Sequence, residues 1–218
     1  MFSFQRKFRS SRGQALAELT LFLPFLIALG LGAIEVANIV NAHLVLAHLS
    51  REGANTVSRE GSNPKGSSAW ATNVNTDLST IINGARPVIK NTTAAQQAQW
   101  KLIYSMIVWN PAPGACPGGN LANGQPDNYR IQRSASAGWA ASPNWTYGSL
   151  SRSSNIGADG TCASATLGSS IKGLTTTGLT FHVVEIFYDY APSKLTPVQN
   201  FISALTPSVF YTRTIFMG

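Results

Sequence analysis

A chain of 218 residues has room for one domain, or for a membrane helix and one small domain. A formal charge of +7 and a pI near 9.7 raise the question of a nucleic-acid ligand. Arg6, Lys7, Arg9 and Arg12 stand near the N-terminus with no acid among them, and the remaining twelve bases face nine acids without forming a basic stripe, which argues against nucleic acid.

Residues 1–13 show no apolar periodicity, only Phe2, Phe4 and Phe8 among polar and basic residues, and read as a leader outside the fold. From Gln14 to Ile34 only Gln14, Glu18 and Thr20 are polar. As a helix this stretch would be ~31 Å long, enough to cross a hydrocarbon core. The four preceding positive charges place the N-terminus in the cytoplasm and the remainder outside. Leu29-Gly30-Leu31-Gly32-Ala33 imitates a signal-peptidase site, but Val36, Ile39, Val40, Leu44 and Ala47 continue at helical steps beyond it. The spacing therefore predicts one helix running on to about Ser58, apolar first and amphipathic after. Such a helix suits an anchor whose distal half packs on a soluble domain. Pro24 lies inside the apolar half, removes a backbone donor and should bend the helix. Gly30 and Gly32 either admit a second helix or are ordinary membrane-helix glycines.

The turn cluster Gly-Ser-Asn-Pro-Lys-Gly-Ser-Ser ends this helix. Trp70, Val74, Leu78, Ile81 and Ile82 predict a second helix, capped by Ser67 or Ser68 and closed by Gly84 and Pro87. Lys101–Trp109 is apolar and rich in branched and aromatic residues, a buried strand that Pro111 stops. The long Gly/Ser/Asn-rich stretch that follows is expected to hold short strands, one over Tyr129–Arg133. It also carries Cys116 and Cys162, which in an oxidising compartment should pair. Closing that loop would contribute on the order of 4 kcal/mol. Leu179–Tyr190 is the best strand in the chain, although its alternation slips at Val183-Val184. A short amphipathic helix through Val198, Phe201, Ile202 and Leu205 leads to a last strand, Ser208–Phe216, with Val209, Tyr211, Arg213 and Ile215 on one side.

No catalytic set emerges. His43, His48 and His182 lack partners at metal-ligand spacing and read as structural histidines. Asp77, Asp127, Asp159 and Asp189 are scattered, with no phosphate loop, GxSxG or HExxH nearby. Neither an enzyme, a cofactor, a metal nor a small-molecule substrate is expected. The two glycosylation sequons, at Asn91 and Asn144, are a pattern common by chance.

The informative chemistry is N-terminal. Gly13 closes the basic leader, and Glu18 stands five residues beyond it inside the apolar run. A carboxylate there costs roughly 2.5–3.5 kcal/mol on insertion scales, which makes it a functional candidate. Glu35 sits at the far end of the run and reads as an interfacial residue. Further on comes Arg51-Glu52-Gly53-Ala54, partly echoed by Arg59-Glu60-Gly61. This set, with the final strand ending in Thr212-Arg213-Thr214, resembles the TadE-like minor pilins of tight-adherence (Tad) pilus systems.

The resemblance implies cleavage between Gly13 and Gln14 by a prepilin peptidase. It also implies that Glu18 pairs with the new amine of a neighbouring subunit, and that Pro24 and Glu35 belong to the assembly segment. The partners implied are other pilin subunits, the Tad assembly machinery and the inner membrane, with the C-terminal domain periplasmic or at the cell surface. The expected fold is α+β: a long N-terminal helix packed on a small antiparallel sheet with a long Gly/Ser-rich insertion. The expected divisions are a leader over 1–13, a helix over 14–60 that spans the membrane at about 14–35, and a pilin-like domain over 61–218. A plain membrane-anchored scaffold with an uncut leader, a domain released near Ala33 and a type II secretion pseudopilin stay open on the sequence.

Overall fold

The computed structural model describes residues 11–60, 63–85, 88–89, 92–109, 129–134, 139–161, 180–190 and 209–218. Three helices and five strands follow in chain order: α1 (Ser11–Arg59), α2 (Ser68–Gly84), α3 (Ala94–Gln97), β1 (Trp100–Trp109), β2 (Tyr129–Gln132), β3 (Thr146–Gly148), β4 (Thr180–Asp189) and β5 (Val209–Met217). The chain divides into two compact units, 1–41 with 191–207, and 42–190 with 208–218. The boundary falls inside α1, so this one helix contributes to both.

In the first unit the described element is the N-terminal part of α1. Its apolar side chains are displayed rather than packed: Leu16, Leu21, Phe22 and Phe25 are all more than half exposed. Among the described residues α1 is the one helix long and apolar enough to cross a membrane. Among the described residues it runs from Ser11, three residues before the expected start at Gln14.

The second unit is built on an antiparallel sheet of order β2-β1-β4-β5. β3 also pairs with β1, through Lys101–Ile103, while β2 pairs with Met106–Trp109, so the two short strands share one edge of β1. β4 runs along the whole of the other edge, and β5 pairs with β4 from Phe181↔Met217 to Asp189↔Val209. Even-numbered residues of β1 and β4 face the helices: Leu102, Tyr104, Met106, Val184 and Ile186 pack with Leu46, Leu49, Ala54 and Val57 of α1 and with Trp70, Val74 and Leu78 of α2. Full burial of each large apolar side chain contributes about 1.5–3 kcal/mol. Odd-numbered residues form a second core, with Ile107, Phe181 and Val183 packed against Tyr129, Ile131 and Ile156. The slip at Val183-Val184 disappears here. β4 is buried on both faces from Thr180 to Phe187, so it needs no alternation of polarity.

Local chemistry fixes the connections. Ser67, at φ −76° and ψ 156°, is the N-cap of α2 and accepts from Trp70 N–H at 3.2 Å. Thr93 caps α3 in the same way through Gln96 N–H. Gly66, at φ +85°, leaves no room for a side chain: a Cβ there would lie 2.4 Å from the Trp139 ring. Trp139 in turn meets Trp70 edge-on at 5.6 Å. The expected helix through Val198–Leu205, and Cys116 and Cys162, lie outside the described residues.

Candidate assembly segment

Gly13, Gln14, Glu18, Pro24, Glu35 and Arg51-Glu52-Gly53 all fall on α1. Gly13 and Glu18 are exposed on its first turns, about 7.5 Å apart along the axis at helical rise. The polar Thr20 is accommodated locally, its hydroxyl donating to the carbonyls of Leu16 (3.0 Å) and Ala17 (2.9 Å). Pro24 is contained within the continuous helix. Among the described residues, a Cβ at Gly30 or Gly32 would meet nothing within 4 Å. Glu35, near the far end of the apolar run, is 2% exposed.

The Arg51-Glu52-Gly53-Ala54 sequence divides between two faces. Arg51 and Glu52 are exposed, whereas Gly53 and Ala54 are buried. A Cβ at Gly53 would lie 3.4 Å from Leu78 of α2 and 3.6 Å from Val184 of β4, ordinary contact distances, so α1 faces both there. One turn earlier Ser50, fully buried, bonds its hydroxyl to Thr214 Oγ1 at 2.9 Å and to the Ala47 carbonyl at 3.0 Å. These contacts set the register of the helix on β5. Glu52 and His48 line a groove with Val45, Ile81 and Gly84, of about 340 Å³.

Two buried polar clusters escaped the sequence reading. On the second face of the sheet, Glu185 is 0% exposed. Its carboxylate accepts from the Ser154 hydroxyl, from Asn155 N–H at 3.0 Å and from the Tyr211 hydroxyl at 2.9 Å, with Arg133 at 4.0 Å and Arg213 opposite it on β5. Arg133 also donates to Ser105 Oγ (2.6 Å) and the Gly157 carbonyl (2.8 Å), and its own N–H is held by Asp159. Burial, with the negative charge of Glu185, pushes the Tyr211 phenol well above its ordinary value. Burial draws the Arg133 guanidinium down against the opposing pull of Glu185 and Asp159. An acid in the middle of an apolar strand was the available signal.

On the helix-facing side, Tyr104 Oη lies 2.8 Å from His182 Nδ1, and its ring stacks on Trp145 at 5.2 Å. His182 is 1% exposed, and its Nε2 has no hydrogen-bond partner among the described residues. Burial, assisted by the Lys65 charge, lowers its pKa to about 3, so the imidazole is neutral in the folded protein. Among the described residues no group of three or more metal-ligating side chains assembles.

Comparison with known proteins gives a family match. The family described as TadE-like protein matches residues 13–55, from the glycine at the leader boundary to just beyond the Arg-Glu-Gly-Ala sequence. No curated protein and no solved structure matches the chain. Over residues 13–55, therefore, this protein carries a TadE-like segment, the family to which the N-terminal residues themselves point.

Proposed function

We propose that the protein is a minor pilin of a Tad-type pilus, made as a membrane precursor and processed by a prepilin peptidase between Gly13 and Gln14. The observation that carries the reading is the coincidence of three features at one place. The TadE-like match starts at Gly13, the basic leader ends there, and the apolar side chains of α1 beyond it are left exposed. Exposed leucines and phenylalanines over such a length have a favourable environment in lipid or against other helices. The mature chain then stands in the inner membrane at about residues 14–35, with its N-terminus cytoplasmic and its sheet unit periplasmic. It joins other pilin subunits and the Tad machinery in building a pilus used in adhesion. Glu18 is the group that receives the N-terminal amine of a neighbour, a pairing strong enough in lipid to fix the register between subunits.

Two variants test this in cells that make the pilus. Gly13→Leu is expected to leave an unprocessed precursor in the membrane. Glu18→Ala is expected to be processed yet to abolish piliation, and normal piliation in that variant would contradict the pairing.

A further inference from the structure

β5 closes one side of the sheet, and among the described residues no strand pairs with its outer edge. The register fixes which backbone groups stand there. Gly218 N–H donates to the Thr180 carbonyl at 3.0 Å, one step beyond the Phe181↔Met217 pair. Bonded and non-bonded pairs alternate along an antiparallel ladder, so the even-numbered residues of β5 turn their N–H and C=O groups to β4. Those of Val209, Tyr211, Arg213, Ile215 and Met217 turn outward. Natural sheets blunt such an edge with shortness, proline or several charges. β5 instead runs for 9 residues with no proline and a single charge, Arg213 at its centre.

α1 overhangs this edge. The His43 ring stacks on Phe210 at 6.2 Å, and the Ser50 hydroxyl meets Thr214 Oγ1 at 2.9 Å, so one line along the helix rests on β5 itself. Leu46 and Leu49 turn inward from that line, into the core with Trp70 and Leu78. At about 3.6 residues per turn, Leu44, Ala47 and Arg51 fall on the opposite flank of the line and project past the outer edge of β5. Leu44 is 55% exposed, Ala47 is half-buried and Arg51 is exposed. A partly apolar roof is thus held over a row of outward-facing backbone donors and acceptors. Among the described residues no ion pair engages Arg51 or Arg213.

We propose that this edge receives one extended segment of a partner protein, which adds to the sheet beside β5 and carries a carboxylate facing Arg213. The added strand gains main-chain hydrogen bonds from the odd-numbered residues, the mode by which extended peptides augment an exposed sheet. Its side chains alternate in facing. Those opposite Thr212 and Thr214 lie on the α1 side and are apolar, under Leu44 and Ala47, and the one opposite Arg213 lies on the other side. Arg213 and the exposed Arg51 favour an acidic segment over a second copy of this chain. Two β5 strands paired in full overlap would set Arg213 against Arg213, a like-charge contact. The inference stands independently of the pilus reading, since it concerns only the sheet unit with the turns of α1 on it, and a failure of leader processing leaves it untouched.

Hydrogen exchange and amide-shift NMR on the full chain in detergent test it. In the protein alone, the amides of Tyr211, Arg213 and Ile215 are expected to exchange at least about tenfold faster than those of Thr212 and Thr214. The probe is a capped peptide, Thr-Val-Thr-Val-Glu-Val-Thr-Val-Thr, with a Lys-centred version as control. The Glu peptide is expected to slow those outward amides, with a Kd on the order of 100 μM and roughly fivefold tighter than the Lys peptide. Arg213→Gln should erase that preference. Ile215→Pro deletes one outward N–H and no bond to β4, so it should weaken the Glu peptide about tenfold with its melting temperature retained. Should the proline variant fail to fold, the Arg213→Gln result decides. Outward amides as protected as their neighbours would mean that the edge is already covered, by this chain itself or, if protection rises with concentration, by a second copy. That result, no binding at about 1 mM, equal binding of the two peptides, or undiminished binding to the folded proline variant would overturn the proposal.

Discussion

Gly53 and His182 show how one residue is fixed by its surroundings. Gly53 occupies a helix interior, where glycine is about 0.5–1 kcal/mol less favourable than alanine. A methyl group there would make ordinary contact with Leu78 and Val184. Gly53→Ala is therefore expected to raise stability by about that amount, while Gly53→Leu, which must displace both neighbours, should cost roughly 1–3 kcal/mol. Thermal unfolding of the two variants by tryptophan fluorescence checks the difference in sign. His182 makes stability depend on acid. Its folded pKa of about 3 lies below the ordinary 6.5, so the unfolded chain binds the proton more readily. The contribution is intact above pH 6.5 and is lost as pH falls toward 3, at ~1.4 kcal/mol per pH unit. His182→Gln should flatten the fall in melting temperature between pH 6.5 and 4.5, a window within that range. An unchanged slope would show that the imidazole is not held neutral. Position 182 was legible as a strand histidine. Its burial was not, because that depends on Tyr104, seventy-eight positions away.

At the scale of elements, α1 and the sheet were readable because their signals are local. The apolar run, the helical steps after it, Ser67 as a cap and the strands around Lys101–Trp109 and Leu179–Tyr190 all appear where residue type and period place them. The cover on the second face of the sheet was not readable. Residues 149–161 contain little secondary structure, and they are held by side chains that converge from distant positions on Glu185. Antiparallel pairing sets Arg213 directly across from Glu185, a relation visible only once the register is known. Removing that carboxylate leaves Arg133, Ser154 and the Asn155 amide short of a buried partner. Glu185→Ala should therefore destabilise the fold by roughly 3–5 kcal/mol. Hydrogen exchange should show the Asn155 and Ile156 amides opening first, ahead of β1 and β4. Uniform exchange across the sheet would mean that the segment is not held separately by Glu185. A milder effect is expected for Ser50→Ala, about 1 kcal/mol, from the loss of its hydroxyl bonds to Thr214 and the Ala47 carbonyl.

Taken as a whole, the chain combines a long helix whose first described turns are exposed with a sheet unit packed on both faces. Those turns contain Gly13, Glu18 and Pro24, and they are where the TadE-like match begins. The match stops at residue 55, so the sheet unit stands on its own physical description. Its doubly covered β4 could not be anticipated from the N-terminal resemblance. The central claim is that residues 1–13 are removed and that the mature helix starts at the glutamine after Gly13. The most direct measurement is the intact mass and N-terminal sequence of the protein recovered from membranes of cells with an active prepilin peptidase. The account predicts a chain beginning at Gln14. A chain beginning at Met1, or one starting near Ala33, would contradict it.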